Sequence, residues 1–244
     1  MTTAIRLIDH GIRLFTGRLY NHDYLWFSSH EISKVSTTLP FVHNYALCYA
    51  LSQRSYGVFM GSTPKYVEDP DGEFGSMDVY ATPAFASNYD STTITSNSLD
   101  DLSLTTGDSK SSNSPTLGKR VYINLGWDGR YVNRPQLGFQ CYVYTFNNFC
   151  LPHVFRLGKK GTPVRARWEE INCPIATFKS EGTRPTHVLN PLDVNGVVTS
   201  YDPVAIPPHL LFRTATVRGE WFVISDVHRV QVPKRVLRRT GFQP

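Results

Sequence analysis

Between Leu157 and Arg167 the chain reads Leu-Gly-Lys-Lys-Gly-Thr-Pro-Val-Arg-Ala-Arg. Glycines at 158 and 161 permit a tight turn with close approach of the backbone. Lys159 and Lys160 would sit on that turn, and alternation along the following strand places Arg165 and Arg167 on one face. Amides and cations would then converge where a phosphate chain can pass. The G-x-x-x-x-G-K-[ST] spacing of a nucleotide-binding P-loop is absent. The competing reading is a solvated hairpin with lysines at its tip.

A second candidate is Trp127-Asp-Gly-Arg130-Tyr131-Val-Asn-Arg134, which interleaves aromatic and basic residues. Aromatic faces accept stacked bases and arginines serve the sugar-phosphate backbone. The alternative is a hairpin loop whose aromatics cover the edge of a core. Leu137 to Tyr144 matches an RNA-binding RNP1 pattern only at Gly138, Phe139 and Tyr144, so the Tyr142, Tyr144 and Phe146 stripe reads as core. The histidines show no H-E-x-x-H and no Cys/His ligand spacing, so neither a metal nor another cofactor is expected. A metal-free ribonuclease would need a base and an acid flanking the scissile phosphate. His43, Tyr20 and Lys159 are the residues that could be cast in those roles. The C-terminal run Lys234-Arg235-Val-Leu-Arg238-Arg239 reads as a solvated tail, or as a contact for RNA or a neighbouring subunit.

The elements that must position these residues are mostly strands. Ile5 and Leu7, then Ile12 and Leu14, alternate with Arg6 and Arg13, with Gly11 as a bulge that resets the phase and Gly17 as a break. A helix is predicted from about Pro40 to Gln53, with Phe41, Tyr45, Cys48 and Tyr49 on one face. A loop from Gly61 to Gly75 and a strand from Met77 to Phe85 follow. Ser, Thr, Asn and Asp dominate from Ser87 to Thr116, which predicts a flexible insertion, because little apolar surface is there to offset ordering entropy. Further strands are predicted at Arg120–Leu125, Phe139–Phe146, Pro163–Trp168, Leu210–Val217, Glu220–Ser225 and Val227–Val232. This order implies one α+β domain spanning 1–244, with an antiparallel sheet, long insertions and extra C-terminal strands.

The chain has 244 residues with 41% hydrophobic and 13% aromatic content, so a packed core is expected. Net charge is +5. From Gly118 to Glu170 the basic residues are Lys119, Arg120, Arg130, Arg134, Arg156, Lys159, Lys160, Arg165 and Arg167, opposed only by Asp128, Glu169 and Glu170. That clustering suits a polyanionic partner. The four cysteines are irregularly spaced and are expected to be reduced, mostly buried thiols in a cytosolic protein. No apolar run approaches membrane-spanning length, so no membrane partner is expected.

Taken together, the N-terminal strand, Gly17-Arg18-Leu19-Tyr20, and the helix from His43-Asn44 through Tyr45-Ala46-Leu47-Cys48-Tyr49-Ala50-Leu51 resemble a known family. It is the Cas-five group of CRISPR subunits, in particular the type I-D member called Csc-one, of the RAMP superfamily. The Gly158–Arg167 segment and the C-terminal strands match more loosely. The resemblance implies a ferredoxin-like, RRM-related domain in a prokaryotic, cytoplasmic RNA-guided complex. It implies binding of the 5′ handle of the guide RNA (crRNA), and contacts with the backbone-forming and large subunits. It also implies a position beside target DNA near the flanking motif. Arg18, Tyr20, His43 and Asn44 would line the handle site, with Lys159, Lys160, Arg165 and Arg167 on phosphates. Lys119, Arg120, Arg130 and Arg134 would add further cationic contacts, and Trp127 or Tyr131 would stack on a splayed base. The family's thumb hairpin is expected at 118–134 or 61–78. The expected role is non-catalytic, the alternative being a metal-independent endoribonuclease for guide precursors.

Overall fold

The computed structural model describes residues 4–32, 35–54, 75–97, 115–122, 138–158 and 161–241. Of the residues singled out above, Trp127, Arg130, Tyr131, Arg134, Lys159 and Lys160 lie outside these ranges, as do most of both expected thumb segments.

The central sheet has seven strands: β2 (Arg13–Asn21), β5 (Phe41–Val42), β6 (Val79–Ala81), β7 (Ala84–Phe85), β10 (Phe139–Thr145), β11 (Val154–Leu157) and β12 (Thr162–Glu170). Its order is β11-β12-β2-β10-β7-β5, with β6 also paired to β10. Every pairing in it is antiparallel. With α1 (Asn44–Ser52) between β2 and β6, the sequence β2-α1-β6/β7-β10-β12 places the first and third strands side by side. This is the ferredoxin-like arrangement within an α+β fold. One element departs from that pattern. Residues 146–153 form no helix, and the β11–β12 hairpin stands where the second helix would enter.

Both faces of β10 are covered. Tyr142, Tyr144 and Phe146 are buried as expected of core residues, and so are Cys141, Val143 and Thr145. Alternation puts Cys141 and Val143 on the same face as Val164, Ala166, Phe155 and Leu157. These residues share one apolar cluster with Leu47, Cys48 and Leu51 of α1. The other face is covered over Leu14 and Tyr144, where the Tyr144 hydroxyl donates to the Gln231 carbonyl at 3.1 Å, and Tyr20 is buried toward its far end. That cover comes from a second sheet ordered β1-β13-β16-β17. Its strands are β1 (Ala4–Arg6), β13 (Ile175–Lys179), β16 (Glu220–Ile224) and β17 (Arg229–Gln231), followed by α2 (Lys234–Arg239). A third, two-stranded sheet joins β14 (Val197–Val204) to β15 (Leu211–Arg218). A fourth joins β3 (His30–Ile32), β4 (Val35–Thr37), β9 (Pro115–Tyr122) and β8 (Asp90–Asn97).

Several boundaries differ from those predicted. Gly11 does not reset one strand. It ends a 3-10 turn at Leu7–His10 in the left-handed region (φ 68°), separating β1 and β2 into different sheets. The helix begins at Asn44 rather than near Pro40, because Phe41 and Val42 pair with Phe85 and Ala84. Strand β8 runs through the Ser/Thr-rich segment, its Thr92 opposite Arg120 of β9. Of the four thiols, Cys48 and Cys141 are buried while Cys150 and Cys173 are exposed. Burial pushes both enclosed thiols up to about 12.

Gly17 continues β2 instead of breaking it, because the indole of Trp168 from β12 lies across it. A Cβ at Gly17 would stand 2.3 Å from Trp168 Cζ3. The ring is held by its Nε1–H, which donates to the Pro152 carbonyl at 3.0 Å. Gly17→Ala is therefore expected to cost about 1–3 kcal/mol through overpacking. Chemical denaturation reads this as a lower midpoint, and an unchanged midpoint would show that the indole moves aside freely.

A candidate nucleic-acid interface on the open sheet face

Toward β11 and β12 the central sheet presents arginines from adjacent strands. Arg18 of β2 stands directly opposite Arg167 of β12 and Gln140 of β10. Arg165, two residues from Arg167, takes the same face, and Arg156 of β11 joins it opposite Pro163. Arg156, Arg165, Arg167 and Gln140 are exposed. The expectation that Arg165 and Arg167 share one face holds, because Val164 and Ala166 between them are buried in the core. The preceding turn is the predicted tight one: Gly158 and Gly161 have φ of 77° and 62°. The Gly161 amide donates to the Gly158 carbonyl at 3.0 Å.

Beside this face is a cleft of about 450 Å³. Its floor is Thr16, Arg18, Gln140 and Tyr142, and Glu169 stands at one side. The opposite wall comes from the Pro185–Val188 segment, Arg213 and His228. One terminal nitrogen of Arg18, Nη1, is buried with no hydrogen-bond partner among the described residues. The Tyr142 hydroxyl lies 2.8 Å from His228 Nδ1 and 3.3 Å from Thr186 Oγ1. Burial raises the Tyr142 phenol pKa and lowers that of His228, the latter in spite of Glu169 acting the other way. At neutral pH both are uncharged. The cleft's charges are therefore the guanidinium groups of Arg18 and Arg213 and the carboxylate of Glu169, with Arg213 also 3.4 Å from Asp202.

The other residues singled out in the sequence lie elsewhere. Tyr20 is the exception: it stands opposite Arg165 on this same face, buried at 2% exposure. Lys119 and Arg120 belong to β9, in a different sheet from Arg18. His43 precedes α1, stacked 4.7 Å from the Tyr45 ring and 4.7 Å from His209. Among the described residues neither ring nitrogen has a partner in good hydrogen-bond geometry, although the His209 backbone and the Asn44 side chain lie near enough to act on the ring. Burial, with His209 beside it, lowers its pKa to about 3. His43 and Tyr20 are both enclosed, and neither lines the cleft. Among the described residues, no group of His, Cys, Asp or Glu could hold a metal ion.

Asn44 is fully buried in a polar network. The Tyr80 hydroxyl donates to Asp193 at 2.7 Å, Arg235 Nε donates to the other Asp193 oxygen at 2.7 Å, and Asn190 donates to Asn44 Oδ1 at 3.1 Å. Burial pulls the Arg235 pKa down, but the Asp193 carboxylate outweighs it and the net direction is up. Arg239 donates to the carbonyls of Gly75 and Met77 and covers the Phe146 ring at 4.1 Å. The basic C-terminal run is thus no solvated tail. Arg235 and Arg239 fasten α2 to the rest of the chain.

The enclosed histidines make stability pH-dependent. His187 accepts from the Gln231 amide at Nε2 (3.1 Å), and its Nδ1 faces the Val188 carbonyl at 2.9 Å, an arrangement that requires the neutral ring. Burial lowers its pKa to about 4. Both His43 and His187 bind a proton near pH 6.5 when unfolded and resist it when folded. Their contribution is complete above about pH 6.5 and is lost as pH falls toward 4 and 3. At roughly 1.4 kcal/mol per pH unit, His43 alone should remove about 2 kcal/mol of unfolding free energy between pH 6.5 and 5. Denaturant titrations at the two pH values test this, and His43→Gln should shrink the difference by that amount.

Sequence reasoning missed Arg156, Gln140, Glu169, Arg213 and His228 as residues of this face and cleft. The alternating Val154-Phe-Arg156-Leu carried a usable signal for β11. The others converge only through tertiary structure. Among the described residues, no helix is long and apolar enough to cross a membrane. No curated protein matches the chain. A family model does match, that of type I-D CRISPR-associated protein Cas5/Csc1, over residues 12–239. That span takes in β2, α1, the arginine-bearing hairpin and the C-terminal strands, and the chain belongs to the type I-D Cas5/Csc1 family, as a subunit of a CRISPR effector complex.

Proposed function

We propose that this subunit holds the 5′ handle of the guide RNA on the open face of the central sheet and does not cut it. Capping of the complex's backbone, and contact with the large subunit near the flanking DNA motif, belong to the same reading. The observation that carries it is the register of Arg18 with Arg167, with Arg165 and Arg156 alongside on the face turned away from the buried Val164 and Ala166. An RRM-related sheet uses that face for single-stranded RNA. Four guanidinium groups spread over three strands match a phosphate chain rather than a small ligand. The burial of His43 and Tyr20, the best acid–base candidates in the sequence, supports a binding role over cleavage.

The test is to incubate the full chain with labelled CRISPR repeat RNA in EDTA, following binding by anisotropy and integrity by gel. Salt-sensitive binding to uncut RNA is expected. Specific cleavage that disappears in His43→Ala would overturn the non-catalytic reading, and absence of binding would overturn the handle assignment.

A further inference from the structure

We propose that the cleft beside Arg18 receives a single base turned out from the bound strand, and that it prefers guanine. This rests on the handle-binding reading and adds a sequence-specific site to it. A phosphate chain running over Arg156, Arg165 and Arg167 arrives at Arg18, which belongs both to that face and to the cleft floor. About 450 Å³ is in the range of small-molecule clefts and admits a nucleobase. Aromatic surface is present in Phe85, Tyr142, His187 and His228.

The polar groups are of mixed sign, unlike those of a plain anion site. Arg18 Nη1 is a buried donor that no atom of the described residues satisfies, and such a group is costly unless a ligand accepts from it. Glu169 lines the same cleft, opposite Thr16 and so one alternation along the face from Arg18. Guanine offers O6 and N7 as acceptors to an arginine. Its N1–H and N2 amino group are donors that a carboxylate can take together. Adenine and cytosine would turn an amino donor toward Arg18, and uracil would set carbonyl oxygens against Glu169. The Tyr142 hydroxyl and Gln140 amide add groups able to turn either way, and Arg213, Ser87, Thr186 and Thr214 are further polar residues of the lining.

The experiment measures binding of the full chain to four RNA octamers, each uridine throughout except for G, A, C or U at the fourth position. The guanosine octamer is expected to bind about tenfold tighter than the adenosine one. Glu169→Gln is expected to bring that ratio close to one. If all four octamers bind equally, the cleft is no base reader, and the sheet-face proposal stands without it. If none binds, the handle-binding reading fails and this inference fails with it. A guanosine preference that survives Glu169→Gln places base recognition elsewhere and overturns the assignment.

Discussion

Replacing Arg165 and Arg167 together with alanine should weaken binding of the repeat RNA by about a hundredfold at low salt. Charge-assisted hydrogen bonds are worth about 1.5–3 kcal/mol each, so losing two removes roughly 3 kcal/mol or more, and each 1.4 kcal/mol is tenfold in affinity. The salt dependence carries independent information. Each phosphate contact to a single strand contributes about 0.7 to the slope of log affinity against log salt, so the double variant should flatten it by about 1.4. Lysine at both positions keeps the charges and should keep most of the slope. It should still lose affinity, because the planar fork that grips a phosphate in two places is gone. Both side chains are exposed on β12 between buried neighbours, so the alanine variant should fold. Unchanged affinity and slope would mean that this face does not meet RNA.

The largest stability effect is expected at the buried ion pair that fastens α2. Arg235→Ala leaves the Asp193 carboxylate, 1% exposed, without its cation. Removing one partner of a buried ion pair costs about 3–5 kcal/mol, a large share of the roughly 5–15 kcal/mol that holds a typical domain folded. The melting temperature should fall by on the order of 10 °C, at about 2–4 °C per kcal/mol. The double variant Asp193→Asn/Arg235→Met should be less damaged than Arg235→Ala alone, because no buried charge is left unpaired. If the single variant melts like the parent, the pair does not fasten α2 as its geometry indicates.

These two sites show what a linear reading can and cannot reach. The β11–β12 turn and the shared face of Arg165 and Arg167 were legible, because glycine spacing and two-residue alternation are local properties. The same holds for the buried Tyr142, Tyr144 and Phe146 stripe. The start of α1 was misplaced for a tertiary reason: Phe41 fits a helical stripe, yet it stacks on Phe85 at 4.7 Å as a paired strand residue. The C-terminal arginines looked solvated because Asp193, the partner of Arg235, lies far upstream in the sequence. Gly17 looked like a break because nothing nearby announces the Trp168 ring that requires it. The cleft was invisible for the same reason, since it assembles Arg18, Gln140, Glu169, Arg213 and His228 from separate strands and turns. Its chemistry appears only once β2, β10 and β12 are in register beneath the C-terminal strands.

The claim that the arginine-bearing sheet face follows the guide strand is tested most directly in the assembled effector complex. Ultraviolet crosslinking with the guide RNA in place, followed by mass spectrometry of the adducts, locates the contacts. Adducts from the 5′ end of the guide are predicted on peptides of β2, β11 and β12 that contain Arg18, Arg156, Arg165 and Arg167. Adducts from that end confined to other subunits, with these peptides unmodified, would contradict the account.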